Sequence, residues 1–505
     1  MISFDDNEYA RAVQIVQDPD TGTLHIFWAE DAPSVRELHY GCSMDAGQTW
    51  SSEAGDNVIS FPDGNAFYEE CSAVSGGGGV EVVVWSEVHA GTREVHYGAS
   101  LDDGLTWSSQ AADLLLSDPT SAVDTGVPSI TCDWNGVFHV VWHQTTPGGV
   151  AEVHYGRSAD DGATWTSQAA DRVISFPDGN AAITPRIVAC EDRLYAFWRE
   201  DDAAGDPRIH VGISQDGGDT WSSELADREI SPATNIMTDL SASAYWYGMG
   251  PGVHVVYRAS YNTASPYYYE IYSSSSFDAG ATWTGETTLT RVSHDEGAGR
   301  SASNPDVIVG ASLGAMAVWD EVDDIGGTNE QHVSFLHDVT WTGAAADSVI
   351  SFPDGENGYR PAAAVTEWMV VPKDGYRMQA AWVVWTEFAG GTSDNYEVHV
   401  SILDVPQDVA DGTDRHWTDA ARAFPSPSPS ASNIRFSLPQ AAEVRVEIFD
   451  AEGRRVRGIS EYRGAGEAAI VWDGRDDAGR MVLPGRYQAR ITAGDVARSL
   501  SLVRL

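Results

Sequence analysis

The chain has 505 residues, 30 basic and 75 acidic, for a formal net charge of −45. The acidity is uneven: residues 423–505 carry 12 Arg against 10 acidic residues, whereas residues 1–422 carry 18 basic against 65 acidic. A body this acidic repels nucleic acid and anionic membranes and favours cations or cationic partners, a salt-adapted surface being the alternative. No run approaches the ~18 apolar residues of a membrane span.

The chain opens on Ile2-Ser3-Phe4-Asp5-Asp6-Asn7, which shows no signal peptide; an exported protein would have lost it before this numbering. The same pattern, Ile-Ser-Phe-Pro-Asp-Gly, recurs from Ile59, Ile174 and Ile350. The opening therefore reads as the end of a strand without a unit of its own. It is expected to lie beside the last unit and leave no open sheet edge; Arg415-His416-Trp417-Thr418 is the rival for that place.

Next comes a repeat. Ser-x-Asp-x-Gly-x-Thr-Trp begins at Ser43, Ser100, Ser158, Ser214 and Ser276, with an eroded copy over 334–341. Successive Trp residues (Trp50, Trp107, Trp165, Trp221, Trp283, Trp341) stand 57, 58, 56, 62 and 58 positions apart. A near-constant period marks one supersecondary unit repeated. Each unit shows short alternating runs with Gly and Asp punctuation, which predicts four antiparallel strands: in the fourth unit A (185–189), B (194–198), C (209–213) and D, started by Trp221. The A–B–C portion occurs seven times, the last over 360–400 without a box. The expected fold is all-β: a seven-bladed β-propeller over 1–422, with six blades as the alternative.

Within the box, Asp45, Asp102, Asp160, Asp216 and Asp278 would accept hydrogen bonds from turn amides and hydroxyls, and the Gly supplies a positive φ. The motif resembles the Asp-box, or bacterial neuraminidase repeat, of sialidase-like propellers. Recurrence marks it as structural, since catalysis needs one special residue rather than six equivalent ones. The four cysteines (Cys42, Cys71, Cys132, Cys190) lack metal-ligand spacing and read as small buried residues.

Strand parity puts the ends of strand B and the D-to-A links on the face opposite the boxes. Trp-x-Glu ends strand B at Glu30, Glu87, Glu200, Glu321 and Glu387, and Phe-Pro-Asp-Gly places Asp63, Asp178 and Asp354 in the links. Together they would form an acidic, aromatic mouth that binds sugar hydroxyls or cations, with Ca²⁺ the cation suited to oxygen ligands; glutamates that merely cap a turn in each unit are the plainer alternative. The fifth unit departs, with Tyr257 and Arg258 in place of Trp-x-Glu and a loop carrying Tyr261, Tyr267 and Tyr268; aromatic planes of this kind stack on sugars or cations. A sialidase-like glycosidase would need three arginines on a substrate carboxylate, a Tyr nucleophile and carboxylates. Arg11, Arg186 and Arg360 are candidates for the first role, but the sialidase Phe-Arg-Ile-Pro motif is absent and no catalytic residue carries over by motif.

Alternating Pro425-Ser426-Pro427-Ser428-Pro429-Ser430 marks a stiff linker over 423–432. Beyond it, short strands separated by turn signals predict a small β-sandwich over 433–505. Its Ile434-Arg435-Phe436-Ser437-Leu438-Pro439, Trp472-Asp473-Gly474-Arg475-Asp476-Asp477-Ala478-Gly479 and Pro484-Gly485-Arg486-Tyr487 resemble the immunoglobulin-like domain of the flagellar hook-capping protein. That resemblance implies a secreted or cell-surface protein whose C-terminal domain engages secretion or anchoring machinery. Asp473 and Asp476 are candidate Ca²⁺ ligands, or simply self-bonded turn residues. The function expected from all this is a propeller binding a glycan or protein ligand opposite the boxes. A sialidase-like exo-glycosidase and a structural surface component are the alternatives.

Overall fold

The computed structural model describes residues 9–31, 36–45, 47–54, 57–61, 66–89, 91–117, 125–145, 148–170, 172–201, 205–226, 228–232, 236–246, 251–260, 269–286, 289–294, 301–310, 314–322, 329–337, 340–342, 348–351, 358–370, 377–388, 396–404, 422–424, 432–438, 442–450, 454–463, 466–482, 485–493 and 496–504. Two compact units divide it, residues 1–410 and 411–505.

The first unit is a β-propeller. Seven antiparallel A–B–C sheets follow one another, from Tyr9–Gln17, Leu24–Asp31 and Arg36–Ser43 to Gly358–Val370, Arg377–Phe388 and Tyr396–Asp404. Each A strand packs against the A strand of the next sheet, and that of the seventh against that of the first. Strand B is buried on both faces because a neighbouring sheet covers each side. Val82, Val83, Val84 and Trp85 are accordingly all buried, a continuous apolar run rather than an alternating one. Seven cores lie between consecutive sheets, the last joining Trp28 and Trp50 of the first to Trp382 and Val384 of the seventh. Near this seam Tyr9 pairs with Tyr396; Ile2–Asn7 and Arg415–Thr418, the expected closing segments, lie outside the described residues.

Strand D differs from expectation. Trp107, Trp165 and Trp221 do not start it but cap a single 3₁₀ turn. The fourth strand follows as a bridge of one or two residues, such as Arg172–Val173 against Tyr155 and His154. Ser109, Ser167 and Ser223 in those turns donate to Ile59 O, Leu116 O and Ile174 O of the preceding unit. The turn thus serves the seam between units more than its own sheet. Two of the few propeller arginines do the same: Arg172 binds Gly218 O and Glu224, and Arg228 binds Gly280 O and Glu286, each in the following unit.

The second unit is a two-sheet sandwich, one sheet of Arg422–Phe424, Ser432–Leu438 and Gly466–Trp472, the other of Arg455–Arg463, Ala442–Asp450, Gly485–Ala493 and Val496–Arg504. Its core includes Ile434, Val446, Ile470 and Trp472, with Trp472 edge-on to Tyr487. Arg422–Phe424 pairs with Ser432–Leu438, so pairing begins inside the segment expected to be propeller and linker.

Candidate functional site

The boxes behave as one repeated turn. In each, the Asp accepts from the Ser hydroxyl and from the Thr amide and hydroxyl; for Asp160 these are Ser158 at 2.7 Å, Thr164 N at 2.9 Å and Thr164 Oγ1 at 2.6 Å. Asp45, Asp102, Asp216 and Asp278 repeat the set. The Thr hydroxyl and amide hold Asp216 down at about 2.

The strand-B glutamates are not gathered around a mouth. Glu30, Glu87, Glu200, Glu321 and Glu387 are all buried, and each accepts the indole N–H of the Trp two residues earlier on the same strand face, at 2.6, 2.9, 2.9, 2.8 and 2.6 Å. Each Trp also packs on a strand-C histidine, as Trp198 does on His210. Gln144 takes the same role for Trp142. A buried indole N–H needs an acceptor, and one oxygen of each of these carboxylates supplies it.

The other expected residues scatter. Tyr257 is buried in the core between the fourth and fifth units, stacked on Tyr272 where other units stack Trp on His. Arg258 lies over the Tyr269 ring at 3.9 Å and 3.6 Å from Asp239. Exposed Asp178 accepts from Asn180 N and Nδ2, a self-bonded turn. Tyr261, Tyr267, Tyr268, Asp63 and Asp354 lie outside the described residues. In the sandwich, Asp473 accepts from Arg475 N, and Asp476 from Ala478 N and Arg480. The four cysteines are free thiols.

What the A strands build is a cavity of about 270 Å³ on the channel axis, lined from all seven units. Every A strand carries a bulge there, as between Ile183 and Arg186, Thr238 and Leu240, or Ser303 and Asp306. At five of them a non-glycine residue has positive φ: Val127, Thr184, Asp239, Asn304 and Arg360. Bulges re-aim side chains and concentrate at functional sites, as does backbone held in this strained region. Here they bring Arg186, Asp239, Asn304, Asp306 and Arg360 into the cavity lining. Of the three candidate arginines, Arg186 and Arg360 line the cavity, whereas Arg11 is not among its lining residues.

Two carboxylates shape this lining. Asp306 accepts from Ser241 Oγ (2.6 Å), Val307 N (3.0 Å) and Ala363 N (2.8 Å), joining three A strands; burial nonetheless lifts it above the usual carboxylate range. Asp320, outside the lining, is buried and accepts from Ser303, Asn304, Asn329 and the amide of Arg360. Burial raises it too. Sequence reading missed both aspartates. The available signal was Asp320 at the middle of a Trp-x-Glu, where the other units have Ala29, Ser86, His143, Arg199, Arg258 and Thr386.

Residues 426–496 match the FlgD Ig-like domain. No curated protein is matched by the chain. Among solved structures, the chain is similar to an α-L-arabinanase of Penicillium chrysogenum complexed with arabinobiose (15% identity, 79% of this chain and 94% of that one, TM-score 0.43). It is also similar to the Hadza microbial sialidase Hz136 (15%, 66% and 64%, 0.43). A third is PorZ, a surface component of the type-IX secretion system of Porphyromonas gingivalis (10%, 100% and 60%, 0.40).

Proposed function

We propose that the chain is an extracellular binding propeller that takes the terminal sugar of a glycan in its channel cavity. The observation that carries this reading is the convergence of Arg186, Asp239, Asn304, Asp306 and Arg360 on one cavity through strained bulges. About 270 Å³ lies near the lower end of small-molecule sites, which suits one or two sugar rings rather than a protein loop. Guanidinium, carboxylate and amide planes each offer paired hydrogen bonds to neighbouring hydroxyls, and a guanidinium pairs best with a carboxylate. Arg186 and Arg360 supply cations inside an acidic barrel, so a sugar bearing a carboxylate is the preferred ligand. The FlgD-type domain supports a surface location, where it would engage secretion or anchoring machinery.

The test is calorimetry of the full chain against neutral and acidic oligosaccharides, with Arg186→Gln and Arg360→Gln alongside. Binding that falls at least about tenfold in both variants, with unchanged melting temperature, supports the reading. No binding to any sugar by the parent chain refutes it. Release of sugar from a bound glycan would replace it with a glycoside hydrolase; Asp306, raised by burial, is then the acid to examine.

A further inference from the structure

One position in the repeat breaks its own rule. Four residues before the strand-B Trp (Tyr257 in the fifth unit), six units bury an apolar side chain: Leu24, Phe138, Leu194, Val253, Ala315 and Ala381. The second unit has Glu81 there, 0% exposed. Neither of its carboxylate oxygens has a hydrogen-bond partner among the described residues. A buried, unsatisfied carboxylate is costly enough to need a reason.

Its surroundings supply one. His25 of the first unit points Nε2 at Glu81 Oε1, 3.4 Å away, and at Asp103 Oδ1, 3.5 Å away. That nitrogen is also buried without a hydrogen-bond partner. Donor atoms bound about 2.1 Å from one tetrahedral ion stand about 3.4 Å apart, and these three all lie within 4.8 Å of one another. Outer partners hold them in place. The Tyr40 hydroxyl lies 2.7 Å from His25 Nδ1, a contact that can fix the tautomer with Nε2 bare. Thr23 Oγ1 donates to Asp103 Oδ2 at 3.0 Å. Asp18, alongside, is occupied by the amides of Asp20, Thr21 and Gly79. In the other His–acid cluster, Glu87, His96 and Asp113, the His96 Nδ1 is already paired with Asp113 at 2.6 Å and Glu87 accepts the Trp85 indole N–H at 2.9 Å.

We propose that His25, Glu81 and Asp103 form a divalent transition-metal site, Zn²⁺ by its donor set, that bolts the first propeller unit to the second on the box face. One imidazole with two carboxylates suits Zn²⁺ better than Ca²⁺, which takes oxygen ligands in larger number.

The full chain, stripped with a chelator, is titrated with ZnCl₂ by calorimetry and melted with and without the metal. One equivalent should bind and raise the melting temperature more than equal CaCl₂ does. Glu81→Leu and His25→Gln should each weaken that binding at least about 100-fold, since loss of an outer-shell partner alone costs about 10–100-fold. Glu81→Leu should fold, because six units carry an apolar residue there, and its metal-free melting temperature should equal or exceed that of the parent. A parent chain that binds no equivalent, or either variant retaining it at full affinity, overturns the proposal.

Discussion

A Cβ built on Gly218 would fall within the hydroxyl of Tyr155, which reaches from the third unit into the box of the fourth. Its neighbour Gly217 also has positive φ, +65° against +88°, but open space around its Cα. The two glycines separate backbone strain from seam packing. Gly217→Ala should cost about 1–2 kcal/mol, the penalty of a left-handed residue. Gly218→Ala adds overpacking against Tyr155 and should cost about 2–5 kcal/mol. Urea unfolding of both variants measures the difference; equal losses would mean that the box glycine answers only to φ.

The Trp198–Glu200 bond makes a second separation. If the carboxylate is there as an acceptor for the indole, charge is dispensable. Glu200→Gln should then change stability by less than about 1 kcal/mol, as Gln144 already serves Trp142, while Glu200→Leu should cost about 1–3 kcal/mol by stranding a buried N–H. A large loss in the Gln variant would restore an electrostatic role to these glutamates.

These cases show what the sequence made legible. The Ser-x-Asp-x-Gly-x-Thr-Trp period exposes the propeller because a local turn needs specific residues at fixed spacing. Trp-x-Glu was visible for the same reason, but its direction was not: residues two apart share a strand face, and whether that face meets solvent or the next sheet depends on neighbours some 58 residues away. The cavity was hidden further, since bulges at Thr184, Asp239, Asn304 and Arg360 come from the crowding of A strands around the axis, and none of those residue types announces a positive φ. Arg186 and Arg360 were found by position; Asp306 and Asp320 required the packing of adjacent units.

Acid should loosen the boxes first. Asp216 sits at about 2 in the folded chain against an ordinary 3.8. A carboxyl lowered by folding stabilises fully above its unfolded value and loses that contribution as pH falls through the folded one. The window is therefore about pH 4 down to 2, and exposure to solvent keeps the effect small for each box. Asp216→Asn should melt below the parent at pH 5 and match it near pH 2. A gap that persists at pH 2 would point to lost geometry rather than lost charge.

The C-terminal unit should stand alone, because its described strands bury a core of their own. A chain begun at Asp411 should unfold in one cooperative transition. One begun at Ala431 lacks Arg422–Phe424, which pairs with Ser432–Leu438, and should melt lower. Equal melting temperatures would show that strand to be dispensable and return the boundary to the Pro/Ser segment.

Asp320 links stability to the cavity. Its carboxylate holds Ser303, Asn304, Asn329 and the amide of Arg360, whose φ of 51° presents a channel guanidinium. Asp320→Ala would leave buried donors unmatched and should cost about 1–3 kcal/mol. Asp320→Asn keeps one carbonyl acceptor but sets an amide donor against donors, so it should recover part of that loss at most. In both, Arg360 loses its anchor, and glycan binding should weaken even under conditions where circular dichroism shows the fold intact. Full stability loss with undiminished binding would separate the carboxylate from the cavity and leave it a packing element of the sixth and seventh units.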